Sequence, residues 1–65
     1  MITVYLANKK KTIEIEAKTV MQLLEKLGYF ELEVLVIDRK NKILLTPDQH
    51  LKNIKEIEIK EVMGR

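Results

Sequence analysis

Apolar and polar residues alternate with a period of two at several points along the chain, and with a helical period at one. Ile2, Val4 and Leu6 alternate with Thr3 and Tyr5, the pattern of a strand that buries one face. Thr12-Ile13-Glu14-Ile15-Glu16 alternates more cleanly, with both isoleucines inward and both glutamates outward. Asn8-Lys9-Lys10-Lys11 separates the two segments, and Asn tolerates the left-handed backbone that tight turns require. Together they predict a β-hairpin. Thr19-Val20-Met21-Gln22 has the chemistry of a capping box, in which the Thr hydroxyl and the Gln amide satisfy orphan backbone amides. Val20, Leu23, Leu24 and Leu27 then fall on one helical face, and Gly28 stands where a C-terminal cap belongs. The spacing predicts one amphipathic helix of about ten residues.

Beyond the helix, Glu33-Val34-Leu35-Val36-Ile37 is apolar on both faces, which fits a central strand or one whose outer face is covered. Arg39-Lys40-Asn41-Lys42 reads as a second polar turn, and Ile43-Leu44-Leu45 as a short return strand. Thr46-Pro47-Asp48-Gln49 repeats the helix-start chemistry and predicts a single helical turn through His50 and Leu51. A last strand runs from about Glu56 to Met63. The order is strand, strand, helix, strand, short strand, strand. Two hairpins joined by a helix, with the last strand inserted beside the first, give an α+β fold. Its mixed sheet has four to five strands with the helix across one face, the β-grasp or ubiquitin-like arrangement. A ferredoxin-like sheet needs a second full helix, and residues 47–55 are too few for one.

Sixty-five residues form one domain, spanning 1–65. The chain has no cysteine, which excludes disulfides, thiolate metal sites and cysteine nucleophiles. No apolar stretch approaches the roughly 20 residues of a membrane-spanning helix. The start enters a strand at once, without a signal-peptide pattern. A soluble, cytoplasmic protein is expected. The net charge of +2 is too small to point to nucleic acid, and the few aromatic residues do not interleave with the lysines as a base-stacking platform requires. His50 has no triad-like context, and Glu14, Glu16, Glu56 and Glu58 read as solvated strand positions. No catalytic residue, metal site or cofactor is assigned. The protein reads as a substrate or module for enzymes.

Four segments carry a family resemblance that covers the whole chain. They are the opening strand with its Lys-rich turn, and residues 18–29 (KTVMQLLEKLGY), 34–51 (VLVIDRKNKILLTPDQHL) and 54–64 (IKEIEIKEVMG). Together they resemble the ThiS/MoaD family of small sulfur carriers, relatives of ubiquitin. Members of that family end in Gly-Gly. The resemblance implies that an ATP-dependent, ubiquitin-activating-type adenylyltransferase adenylates the C-terminal carboxylate, and that sulfur transfer then makes a thiocarboxylate. A sulfur-accepting synthase would use it in thiamine, molybdopterin or tRNA thiolation. It also implies a carrier tail at Met63, Gly64 and Arg65. Glycine suits a tail that threads a narrow channel, since it accepts extended or strained backbone without a Cβ clash.

Gly64 matches the first family glycine, but Arg65 stands in the second place, a long and permanently charged side chain where the family has a hydrogen atom. Three accounts of Arg65 remain open. It is trimmed or is an addition to the natural end, the partner accepts it, or the domain has lost carrier chemistry and acts by binding alone. A TGS-like RNA-associated domain is a further alternative.

Alternation places Tyr5, Leu35, Ile37 and Val62 on the sheet face away from the helix. With the first strand parallel and the third antiparallel to the last, Tyr5, Leu35 and Val62 are expected near the tail end, and the resemblance implies docking through that face. Lys9, Lys10 and Lys11 are expected at the same end, as a solvated turn or a steering patch for an acidic partner.

Overall fold

The computed structural model describes residues 1–62. Strand β1 (Ile2–Leu6) turns into β2 (Lys11–Ile15). Helix α1 (Val20–Leu27) and a 3-10 turn at Glu31–Glu33 lead on to β3 (Val34–Asp38), β4 (Ile43–Leu44) and β5 (Glu56–Glu61). All five strands join one mixed sheet in the order β2-β1-β5-β3-β4. β5 lies parallel to β1 and antiparallel to β3, and the remaining pairings are antiparallel.

Alternation sets which side of each strand is buried. Ile2, Val4 and Leu6 from β1, Ile57 and Ile59 from β5, and Val34 and Val36 from β3 all turn to one face. There they meet Val20, Leu23 and Leu24 of α1, with Leu45 and Leu51 closing the margin. Truncating a fully buried side chain such as Leu23 to Ala removes about 2–5 kcal/mol, through lost transfer energy and the cavity left behind.

The helix starts and stops where its caps dictate. The Thr19 hydroxyl accepts the Gln22 amide at 3.1 Å, and the Gln22 side chain accepts the Lys18 amide at 2.7 Å. At the other end Gly28 takes the left-handed conformation, φ 80°, and the Tyr29 amide reaches back to the Leu24 carbonyl at 2.9 Å.

The helical turn expected through His50 and Leu51 does not form. Residues 46–49 make a β-turn, with the Gln49 amide on the Thr46 carbonyl at 3.1 Å. The carbonyls a helix would use are engaged elsewhere. Those of Gln49 and Pro47 accept the Val20 and Met21 amides at 3.1 and 2.9 Å, satisfying orphan donors at the start of α1. His50 is exposed and forms an isolated bridge with Thr19.

The left-handed backbone of the β1–β2 turn falls on Lys10, φ 50°, and not on Asn8. The second turn does the same at Lys42, φ 58°. It is organised by Asp38, the one buried charged residue among those described, at 3% exposure. Asp38 accepts the Lys40 and Asn41 amides at 3.0 and 3.4 Å and the Asn41 side-chain amide at 2.9 Å. β3 is an inner strand, between β5 and β4, but its outer apolar face is not fully covered: Leu35 remains 38% exposed. Among the described residues, no helix is long and apolar enough to cross a membrane.

Candidate functional site

Four backbone and side-chain contacts converge where β5 ends. The Glu61 amide donates to the Asn8 side-chain oxygen at 2.8 Å, so the β1–β2 turn holds the strand from one side. From the other side the Val62 amide donates to the Glu33 carbonyl at 3.0 Å, which carries the antiparallel ladder with β3 one step further. The Tyr29 hydroxyl, just past the Gly28 cap, donates to the Glu61 carboxylate at 3.2 Å. Lys9 sits over the Tyr29 ring, its ammonium 5.8 Å from the centroid. Partial burial pushes the Tyr29 phenol above its ordinary value, and the hydrogen bond and negative charge of Glu61 add to that shift. Glu61 and Val62 are thus held from both sides at the end of the central strand.

The face away from the helix can be followed by register. Thr12, Tyr5, Glu58, Ile37 and Leu44 form one transverse row across all five strands. One step toward the end of β5, Leu35 stands opposite Lys60. Val62 continues the alternation of Glu58 and Lys60. Tyr5, Leu35, Ile37 and Val62 therefore share this face, as the alternation predicts. They are not one unbroken patch. Leu35 and Ile37 are successive outward positions of β3, and Val62 lies diagonal to Leu35, one outward position beyond Lys60. Tyr5 lies on the far side of β5 beside Glu58, with the Arg39 guanidinium 5.2 Å from its ring centroid. Arg39 also approaches Glu58 at 3.9 Å, a solvent-screened contact of small energetic weight.

Sequence reasoning passed over Leu44, which is 60% exposed and extends the Ile37 row to the sheet edge. It also missed Phe30 and Leu32, both largely exposed, one just before and one within the 3-10 turn that receives Val62. A cavity of about 210 Å³ opens between α1 and the β3–β4 edge, with Leu24, Leu35, Leu44 and Pro47 among its lining residues. Asn8, Tyr29 and Glu33 had no local signal either, because their partners lie across the fold. Of the lysine run, Lys9 stands at the strand exit through its contact with Tyr29.

The expected carrier tail, Met63, Gly64 and Arg65, lies outside the described residues. Among the described residues no group of three or more His, Cys, Asp or Glu side chains is placed to hold a metal ion. Comparison of the chain with protein-family models, with curated proteins and with solved structures finds no match.

Proposed function

We propose that this chain is a β-grasp protein acting as a ubiquitin-like sulfur carrier, with its C-terminal carboxylate as the reacting group. The observation that carries the proposal is the anchored exit of β5. Glu61 and Val62 are held from both sides at the end of the central strand, so whatever follows is delivered from a defined point. Presenting a carboxylate to a nucleotide site demands such fixity, because a freely moving base would spend binding energy on orientation. The strand order and the parallel β1–β5 pair support the β-grasp reading.

In the proposed chemistry a carboxylate oxygen attacks the α-phosphorus of ATP and pyrophosphate leaves. A sulfide-equivalent nucleophile then attacks the acyl carbon, and AMP leaves with the oxygen that bridged it. The product is a thiocarboxylate. An ATP-dependent, ubiquitin-activating-type adenylyltransferase supplies the nucleotide site, and a sulfur-accepting synthase consumes the product. This chain supplies the tail and a docking surface. Leu35, Ile37 and Val62, extended by Leu44, form the apolar part of that surface nearest the strand exit, and apolar exposure of this kind marks interaction sites.

The test is intact mass after incubation with an activating enzyme of this type, ATP and a sulfide donor, on the full chain and on a form ending at Gly64. The expected result is a gain equal to exchanging one oxygen for sulfur, localised to the terminus. Leu35→Glu is expected to abolish that gain while leaving the fold intact. Absence of adenylation on both forms overturns the carrier reading, and retained partner binding would then identify a module that acts by binding alone.

A further inference from the structure

The outer edge of β2 carries a self-complementary sequence. We infer that this edge is a pairing site for a second copy of the chain, giving a two-fold dimer with one continuous sheet. The inference is independent of the carrier reading, since β2 and the exit of β5 belong to different strands.

The direction of the backbone groups follows from the hydrogen bonds of β1. Thr3 and Ala7 donate to the carbonyls of Lys55 and Ile59, so the odd positions of β1 face β5 and its even positions face β2. In the β1–β2 register, Leu6, Val4 and Ile2 stand opposite Lys11, Ile13 and Ile15. Those three residues of β2 turn their N–H and C=O groups to β1, because bonding positions alternate along an antiparallel ladder. Thr12 and Glu14 therefore aim theirs at the open edge, the position at which another strand adds.

Charge selects what adds. Lys9, Lys10 and Lys11 crowd one end of the segment, and Glu14 and Glu16 occupy the other. A second copy laid antiparallel puts the cationic end of each strand beside the anionic end of its partner. A parallel copy would set lysines against lysines. Faces select the register. A two-fold axis normal to the sheet keeps the core side of each copy on the same side, so residues of like parity must face each other. Centring the axis at Ile13 pairs Thr12 with Glu14 of the second copy in both directions, using the donors and acceptors that point outward. The same register uses the whole of β2 and avoids the like-charge pair that a centre at Glu14 would create. It sets Ile13 against its own copy. Ile13 and Ile15 face the core but remain half-buried, and the second copy would cover what the edge leaves open.

A five-residue edge gives an interface well below the roughly 1,000 Å² of stable complexes, so the dimer is a weak one that assembles at high concentration. The test combines sedimentation with residue-resolved amide exchange on the full chain across a wide concentration range. The expected result is a concentration-dependent dimer that weakens with salt, with protection rising at the Thr12 and Glu14 amides and unchanged at Ile13. Thr12→Pro removes an edge donor that β1 does not use and is expected to weaken association about tenfold or more. The pair Glu14→Lys with Glu16→Lys is expected to abolish self-association, and mixing that variant with Lys9→Glu/Lys10→Glu chains to restore pairing between the two. A chain that stays monomeric at every concentration overturns the inference. So does a dimer that survives Thr12→Pro in a folded protein, or one in which the Thr12 and Glu14 amides gain no protection.

Discussion

Asn8 and Glu61 are 53 residues apart in sequence, and the side-chain oxygen of one accepts the backbone amide of the other at 2.8 Å. The contact fastens the first turn of the chain to the end of its last strand. Asn8→Ala is expected to lower stability by about 0.5–1.5 kcal/mol, the usual net worth of such a bond. Amide exchange at Glu61 should accelerate by more than at the buried Ile57, where only the global loss of stability acts. Asn8→Asp keeps an acceptor and should retain most of the protection. Equal exchange at Glu61 in all three proteins would show that the strand end is held by other means.

Lysine occupies the left-handed position of both polar turns, Lys10 at φ 50° and Lys42 at φ 58°. The left-handed conformation costs a non-glycine residue about 1–2 kcal/mol, and glycine gives back about 0.5–1 kcal/mol through its freer unfolded chain. The strain is the larger quantity. Lys10→Gly and Lys42→Gly are each expected to raise the unfolding free energy by about 0.5–1 kcal/mol. The two turns share no partner, so the double variant should show nearly the sum. Chemical denaturation measures all three.

Tyr29 gives the strand exit a pH signature. Its phenol titrates above the ordinary 10.0, first because burial disfavours the phenolate and then because the Glu61 carboxylate accepts the phenol's hydrogen bond and repels a phenolate. The folded chain therefore binds that proton more tightly than the unfolded chain does. The associated stability is fully present below about pH 10 and is lost as pH rises through the folded-state value. Absorbance titration of a Tyr5→Phe background should show the raised phenol directly. Glu61→Gln should bring it part of the way back, because the larger contribution, burial, remains.

Asp38→Ala is expected to destabilise by about 1–3 kcal/mol, since it leaves the Lys40 and Asn41 amides without their acceptor in a partly buried turn. Asp38→Asn keeps one acceptor oxygen and should lose less. The damage should be local to the β3–β4 turn, read as faster exchange at Lys40, Asn41 and Leu45.

Where a signal is local, the sequence carried it. The β1–β2 hairpin follows from strict alternation around Lys9–Lys11, and α1 is bounded by Thr19, Gln22 and Gly28, whose chemistry acts within a few residues. The placement of β5 beside β1 followed from element order. What failed depended on partners far along the chain. Pro47 and Gln49 look like a helix start, yet their carbonyls are taken by Val20 and Met21, a segment more than twenty positions earlier. Asn8 looks like a residue for a left-handed turn and is instead an acceptor for Glu61. The outward face was readable by parity, but parity alone does not show that Glu58 and Arg39 stand between Tyr5 and the leucines of β3 and β4.

The strand at the middle of the sheet is the last to be made. Until residues 56–61 are available, the chain holds two separate hairpins, β1 with β2 and β3 with β4, with no strand to join them into one apolar face over α1. Isolated hairpins are marginal in water. A nascent chain on the ribosome must therefore keep Val4, Val34 and Val36 open until β5 clears the exit tunnel, and then close both halves at once. Folding should be all-or-none and wait for β5 to emerge. A chain cut short before Glu56 should be a target for proteolysis, not a smaller stable domain.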